Sequence, residues 1–381
     1  MVIGGTGFLG HHVVNLILQR YPKSRVSVAD RSVDRNRRQP EDGVQYHQID
    51  ITQASALSAL FGNVRPDVII HTASPLPQVD VSPTRELYDK VNVHGTRTII
   101  AACRTYDVKA LVYCSSASVV CDHTSDVINA DESRPRVRGR DQPEYYAESK
   151  VCSLPRDAPI MPGAAIDVFD YKQSQAEDLI LAANAQHPYL LRTAVIRPSA
   201  IIGEGDLMIV PRLIDIYREG KVYFQLGQNK NLFDFTYVQN VAHGHLLAAE
   251  ALLACSTSGV DNDGKGVDGE CFFITNGAPI LFWDFARAVW VQAGCAYDIR
   301  RVWVLSRFVA MILAFLSEVF FALIGKPATF NRQRVSFSCM TRYYDISKAK
   351  ARLGYEPLVS LDEGIQRSVK WCLDQEKTKR A

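Results

Sequence analysis

MVIGGTGFLGHHVVNLIL, residues 1–18, reads as a strand, a glycine turn and a helix. Val2 and Ile3 supply β character, Gly4, Gly7 and Gly10 punctuate the turn, and Val13, Val14, Ile17 and Leu18 recur at helical spacing. Glycines so placed let the backbone turn tightly, let a pyrophosphate approach the helix N-terminus, and let helix pack on strand. Only three residues precede the turn, where a strand usually has about five or six, so the chain is expected to begin several residues late. A second strand, RVSVAD, ends at Asp30, 20 residues beyond Gly10. That is where a carboxylate meets an adenosine ribose 2′-hydroxyl. Arg31, Arg35 and Arg37 follow closely. They leave a 2′-phosphate acceptable, so the expectation is NAD, with NADP not excluded.

The same rhythm continues outward. VQYHQID is a strand running into Asp50-Ile51, followed by a helical stretch to Phe61. DVIIHTAS is a buried strand, VNVHGTRTIIAACRTY a helix and ALVYCSSASVV a further buried strand. Strands alternating with helices, and apolar almost throughout, predict an α/β fold with a doubly wound parallel sheet. Ligands bind such sheets at the carboxyl ends of the strands. Gly4 to Gly10, Asp30, Asp50, Thr72-Ala73-Ser74 and Ser115-Ser116 then share one rim.

Bulk properties narrow the classes. The 381 residues are 47% hydrophobic and 22% charged, with a net charge of +2. This suits a globular chain and gives no reason to expect a nucleic-acid partner. The nine cysteines are scattered, without a CxxC pair, and no cluster has metal-ligand spacing. The expectation is a reducing compartment and no metal. The apolar N-terminus lacks the basic region and small-residue cleavage site of a signal peptide.

An alcohol-oxidising nicotinamide enzyme needs a group that takes the hydroxyl proton. Tyrosine, with a pKa near 10, can do so near neutral pH only beside a cation. Tyr146 and Lys150 are four apart, so a helix would stack them on one face. Tyr145 and Tyr171 have Ser149 and Gln175 at that offset and no cation. Ser116, at the mouth of the preceding strand, could hydrogen-bond the substrate oxygen.

The order along the chain (glycine turn, acidic strand end, Ser-Ser, Tyr-x-x-x-Lys) resembles the extended short-chain dehydrogenases, and specifically the 3β-hydroxysteroid dehydrogenase family. The likeness is carried by GGTGFLG, HTAS, VNVHGT, YCSSASVV, EYYAESK, LLRTAVIRPSAIIGEGD, FDFTYVQNVAHGHLLAAEAL, FFITNG and RYYDISKAKARLGYEP. It is strongest for the branch that oxidises and decarboxylates 4α-carboxysterols. The resemblance implies Tyr146 as proton acceptor, Lys150 as the cation that lowers its pKa and holds the nicotinamide ribose, and Ser116 as the group orienting the hydroxyl. It also implies cofactor contacts from Gly4, Thr6, Gly7, Phe8, Leu9, Gly10, Asp30, Asp50, Ile51, Thr72, Ala73, Ser74 and Pro198. The reaction implied takes hydride from C3 of a 3β-hydroxysterol to NAD⁺. A 4α-carboxylate would then leave as CO₂, because the new carbonyl accepts its electrons.

In the family the Tyr–Lys helix runs directly into an Ala-Glu-containing stretch. Here that continuation, SQAEDLILAANA, resumes only at Ser174, with Ala176, Leu179, Ile180 and Ala183 on one stripe. The 23 residues between, Val151 to Gln173, carry three prolines and no periodicity. A retained intron translated in frame is the favoured reading, ahead of a genuine insertion loop.

The expected division is a nucleotide-binding domain over 1–200 and a smaller substrate lobe over 201–381. Within the latter, VWVLSRFVAMILAFLSEVFFALIG, residues 302–325, is long and apolar but interrupted by Arg307 and Glu318. A monotopic helix pair seated in one leaflet fits it better than a span, with a soluble core segment as the alternative. With the sterol substrate that the resemblance implies, the expected location is the cytosolic face of the endoplasmic reticulum membrane, with the cytoplasm as the alternative, and a homodimer stays open. His243 and His245, two apart in a helix, are expected to pack or cap. Two other functions stay open: another extended dehydrogenase, epimerase or reductase, and a nucleotide-binding homologue impaired by residues 151–173.

Overall fold

The computed structural model describes residues 1–75, 84–137, 176–255, 266–296, 302–324, 328 and 330–380. In chain order the first half runs β1 (Val2–Ile3), α1 (Phe8–Arg20), β2 (Ser27–Asp30), β3 (Gln45–Gln48), α2 (Ala54–Val64), β4 (Val68–His71), α3 (Arg85–Tyr88), α4 (Gly95–Thr105), β5 (Ala110–Cys114), β6 (Val127–Ala130), α5 (Ala176–Ala182) and β7 (Arg192–Pro198). The second half runs β8 (Ile201–Ile202), α6 (Val210–Arg218), β9 (Phe224–Leu226), β10 (Leu232–Phe233), β11 (Thr236–Tyr237), α7 (Val238–Ala254), β12 (Glu270–Ile274), β13 (Ile280–Leu281), α8 (Phe282–Gln292), β14 (Trp303–Leu305), α9 (Arg307–Leu323), α10 (Arg332–Cys339), β15 (Arg342–Tyr344), α11 (Ser347–Leu353) and α12 (Leu361–Arg380).

Seven strands pair in the order β12-β7-β5-β4-β1-β2-β3, all parallel. The order reverses between β1 and β4, and such reversals open the crevice in which doubly wound sheets bind ligands. Neighbouring residues on a strand face opposite layers. Val2, Val28, Ile70 and Val112 join one core with residues of α1 and α7; Ile3, Ala29, Ile69 and Leu111 join the other with residues of α2, α4 and α5. Covering both faces explains why these strands are apolar without alternation.

The second lobe is built on a four-stranded sheet, β13-β10-β15-β6, and an aromatic core around Phe233, Phe235 and Phe285. The lobes exchange strands across residue 200. β12, from the second half, lies at the edge of the seven-stranded sheet, and β6, from the first, lies in the four-stranded one. Asn240 fastens two distant segments to α7: its Nδ2 donates to Asn276 Oδ1 (3.0 Å) and Val359 O (2.8 Å), and its Oδ1 accepts from the Leu358 and Val359 amides. Tyr355 of the KAKARLGYEP tail adds a bond from its hydroxyl to Thr275 O of ITNG at 2.8 Å, so these stretches are held together.

Three local differences from the sequence reading have physical causes. ALVYCSSASVV does not stay a strand; β5 stops at Cys114 and a 3-10 turn, Ala117–Val120, follows, with Ser116 as its cap. The helix expected over VNVHGTRTIIAACRTY is entered through α3 and one π turn, Asp89–His94. The stretch 302–325 is not a helix pair: Trp303–Leu305 pairs with β9 as a strand, and Ser306 then caps the single helix α9. Among the described residues, no helix is long and apolar enough to cross a membrane.

Only Ala310 and Ala314 of α9 are buried, against α10. Its remaining surface exposes Phe308, Leu316, Phe320 and Leu323, with Trp303 and Phe224 exposed on the adjoining strands β14 and β9. His243 and His245 lie inside α7, one against the Tyr355 ring and one bonded to Val241 O, and burial pushes both imidazoles down to about 4.

Candidate active site

The glycine turn closes the switch-point rim. Gly4 has φ +83°, and a Cβ there would meet Ala73 N at 2.6 Å and Thr72 Oγ1 at 2.9 Å. A Cβ on Gly10 would lie 2.1 Å from Gly4 O, so only glycine lets α1 start against β1. Gly7 caps α1 without a side chain, and no acidic residue occupies the first turn. The helix N-terminus, with its amides and positive dipole end, is thus chemically suited to a pyrophosphate.

Asp30 closes the far side. Its Oδ2 accepts from Thr6 N (3.2 Å) and Thr6 Oγ1 (2.7 Å), joining the end of β2 to the turn. Asn36 Nδ2 donates to Thr6 O at 2.9 Å, folding the following loop over the turn. Within that loop Arg37 stacks on Tyr46, and Arg38 binds Asp42 and Asn15.

Asp50 accepts from the Thr52 amide (2.9 Å) and hydroxyl (2.7 Å). Burial raises its pKa, but those bonds and the charges of Lys90 and Arg31 outweigh it and hold the carboxyl below the ordinary range. Ile51 is fixed by α4, where Thr98 Oγ1 donates to Ile51 O and Gly95 leaves room for the isoleucine side chain. Thr72 donates from its amide and hydroxyl to Ile3 O, at 2.8 and 3.0 Å. Ser74 Oγ is a buried hydroxyl with no partner. An orphaned hydroxyl beside a glycine cradle fits a bound dinucleotide, and the donor set of this rim matches one.

Ser116 stands at the next strand mouth. Cys114 pairs with Ile196, and Ser115 N donates to Ile196 O (2.8 Å), so Ser116 lies across from the Pro198 end of β7. Its Oγ accepts from Ser118 N at 3.2 Å. A hydroxyl that already accepts at its oxygen is left to donate its own proton, which suits it to orient a substrate oxygen.

Beneath Ser116 lies a charged cluster that sequence reasoning missed. Glu177 on α5, fully buried, accepts from Ser115 Oγ (2.7 Å), Arg197 Nε (3.2 Å) and Arg136 Nη1 (3.0 Å), and Arg197 Nη2 completes a bidentate pair. Burial pushes the carboxyl up, but the two arginines and the serine outweigh it and keep it below its usual range. Arg197 stood in plain view as a cation directly following the apolar run Ala194–Ile196, where a buried charge needs a partner. The cluster joins α5 to the strand ends carrying Ser116 and Pro198. Ala176, Ile180 and Ala183 seat the same helix in the core, with Leu179 packed at its edge. The apolar stripe expected on this helix therefore faces the core. Tyr146, Lys150 and residues 151–173 lie outside the described residues.

A glycine cradle at the switch point, an acidic partner at the end of β2 and a donor serine beside Pro198 define an extended short-chain dehydrogenase, an NAD(P)-dependent oxidoreductase. The sequence pattern of the 3-beta hydroxysteroid dehydrogenase/isomerase family matches residues 1–153 and 160–307, and the chain belongs to that family. The pattern skips 154–159, inside the interrupting segment. The chain is 36% identical to a decarboxylating sterol-4-alpha-carboxylate 3-dehydrogenase of Schizosaccharomyces pombe, over 99% of this chain and 98% of the relative. It is 34% identical to that of Saccharomyces cerevisiae, over 97% of each. Among solved structures, a Thermus thermophilus UDP-glucose 4-epimerase in complex with NAD superposes with a TM-score of 0.63 at 20% identity, over 98% of each chain. This last likeness concerns the fold alone.

Proposed function

We propose that the chain oxidises the 3β-hydroxyl of a 4α-carboxysterol with NAD⁺ and releases the carboxylate as CO₂, as a step of sterol biosynthesis. The observation that carries this reading is end-to-end likeness to decarboxylating sterol-4-alpha-carboxylate 3-dehydrogenases, with the donor Ser116 on the same rim as the glycine cradle.

Bound NAD⁺ supplies the hydride acceptor. Gly4, Gly7, Gly10 and the α1 amides would hold its pyrophosphate, and Asp30 its adenosine ribose. Asp30 supports NAD over NADP, since a carboxylate held by Thr6 at that ribose repels a 2′-phosphate, and of the three arginines that could accept one Arg37 stacks on Tyr46. Ser116 donates to the C3 oxygen. Tyr146 takes the hydroxyl proton, its pKa lowered by Lys150. The resulting ketone lies β to the carboxylate; the C4–carboxyl bond breaks, its electron pair becomes the enolate, and a proton then returns to carbon.

The substrate is apolar apart from these groups, and the exposed face of α9 with Trp303 and Phe224 matches a monotopic seat on a membrane surface, consistent with the cytosolic face of the endoplasmic reticulum. The test is an assay of purified full chain, and of a form lacking 151–173, with NAD⁺ and a 4α-carboxy-3β-hydroxysterol. NADH and CO₂ should form in equal amounts, faster in the shortened form, because a Tyr–Lys pair works only when held to about half an ångström. Absence of both products from both forms would refute the reading.

A further inference from the structure

We propose that Ser115 and Glu177 are positioning residues for the reaction: together they set where the Ser116 hydroxyl stands relative to the Pro198 end of β7. This rests on the function proposed above. Four hydrogen bonds close a small ring between the end of β5, β7 and α5. Ser115 N donates to Ile196 O at 2.8 Å, and Ser115 Oγ donates to Glu177 Oε2 at 2.7 Å. The same carboxylate oxygen takes Arg197 Nε at 3.2 Å, the other takes Arg197 Nη2, and Arg197 is joined covalently to Ile196. Ser115 and Arg197 are 2% exposed and Glu177 0%, so water has no access to replace a lost partner. A hydroxyl donating to a buried carboxylate is held by a short, charge-assisted bond.

Each functional residue is the next one along from a member of this ring. Ser116 follows Ser115, and Pro198 follows Arg197. Consecutive Cα atoms are fixed about 3.8 Å apart, so the ring sets the separation of the two strand mouths almost directly. Ser116 has extended backbone, with φ −153° and ψ 144°, which turns its side chain away from that of Ser115. Tying Ser115 Oγ to α5 thus leaves Ser116 Oγ aimed the other way, where Ser118 N donates to it at 3.2 Å. Burial agrees: Ser115 is enclosed and Ser116 is partly exposed. The reaction needs this spacing. The substrate oxygen rests on Ser116 while its C3–H must face the nicotinamide that the family likeness puts beside Pro198. A misplacement of about 1 Å in such an arrangement can cost about 100-fold in rate.

The experiment is a double-variant cycle on the full chain, with Ser115→Ala, Ser116→Ala and the pair, assayed with NAD⁺ and a 4α-carboxy-3β-hydroxysterol. Ser115→Ala should lower kcat roughly 10- to 100-fold and change KM for NAD⁺ less than about threefold, because a displaced donor is felt chiefly in the transition state. In the Ser116→Ala background the same substitution should cost less than about threefold further, since its effect runs through a hydroxyl already gone. Losses that multiply would show Ser115 acting independently of Ser116 and overturn the proposal. Hydrogen exchange of the NAD⁺-loaded full chain gives a readout free of turnover. In Ser115→Ala the amides of the turn Ala117–Val120 should exchange at least about tenfold faster, as expected for losing a bond to a charged group, with β2 unchanged. The variant Glu177→Leu/Arg197→Met, which removes the acceptor without stranding Arg197, should show the same faster exchange. Unchanged exchange at the turn in either variant would overturn the proposal. If wild type turns over no 3β-hydroxysterol, the function proposed above fails, and the exchange result alone decides whether Ser115 and Glu177 position the Ser116 turn.

Discussion

Replacing Glu177 by alanine would leave Arg197 and Arg136 facing each other beneath Ser115 and Ser116 without their shared carboxylate. Arg197 is 2% exposed and Glu177 0%, so water cannot restore the lost partner cheaply. Breaking a buried pair from one side costs about 3–5 kcal/mol, most of it the stranded charge. Unfolding entropy is about 2.1 cal/mol/K per residue near 60 °C, which for 381 residues is about 0.8 kcal/mol/K. The expected fall in Tm is then about 4–6 °C. The double variant Glu177→Leu/Arg197→Met removes both charges and should recover much of that loss. Acid should reveal the same group. A carboxyl whose folded pKa lies below its unfolded value of 4.5 stabilises above that pH, and the contribution disappears as pH falls through the folded pKa. Wild type and Glu177→Gln should therefore differ most above pH 4.5 and converge below it. Scanning calorimetry across pH 3–8 makes the measurement. A loss under about 1 °C for Glu177→Ala, or no recovery in the double variant, would refute the view of this cluster as a charge-balanced clamp.

Other expectations can be checked separately. Gly10→Ala forces a Cβ to within 2.1 Å of Gly4 O, so NAD⁺ binding measured by calorimetry should be lost. Asp234 is buried and its carboxyl is pushed up to about 7; the folded state then holds a proton the unfolded chain releases near 3.8, and stability should decline as pH rises between these values. Asp234→Asn should flatten that decline in denaturant titrations. Replacing Phe308, Leu316, Phe320 and Leu323 of α9 with serine should release the protein from lipid vesicles in a flotation assay, with Tm unchanged because these side chains are exposed; undiminished flotation would count against the membrane seat.

Much of the nucleotide end was legible because local rules and tertiary demands coincide there. Gly4 and Gly10 needed no knowledge of distant residues to be read as a cradle, and Asp30 announced itself by spacing. The Ser116 turn was half legible: two serines marked the strand mouth, but the break at Cys114 depends on Tyr344 and Arg342, more than two hundred residues later. Glu177 was hidden differently. On its own helix it looks like an ordinary first-turn acid, and only the docking of α5 under β5 and β7 turns it inward. The segment 302–325 misled by composition. Its apolar length suggests helix throughout, yet Trp303–Leu305 finds a strand partner in β9, a pairing that periodicity cannot foresee.

The exchange of strands between lobes also bears on how the chain must be made. Until residues 270–274 leave the ribosome, β7 is an uncapped sheet edge, with Thr193 to Pro198 offering apolar side chains and open ladder positions. Unpaired edges of this kind recruit other chains. A nascent polypeptide halted near residue 200 should engage chaperones heavily, and one released past β12 should not. The order of synthesis thus sets a window of vulnerability that the finished sheet conceals.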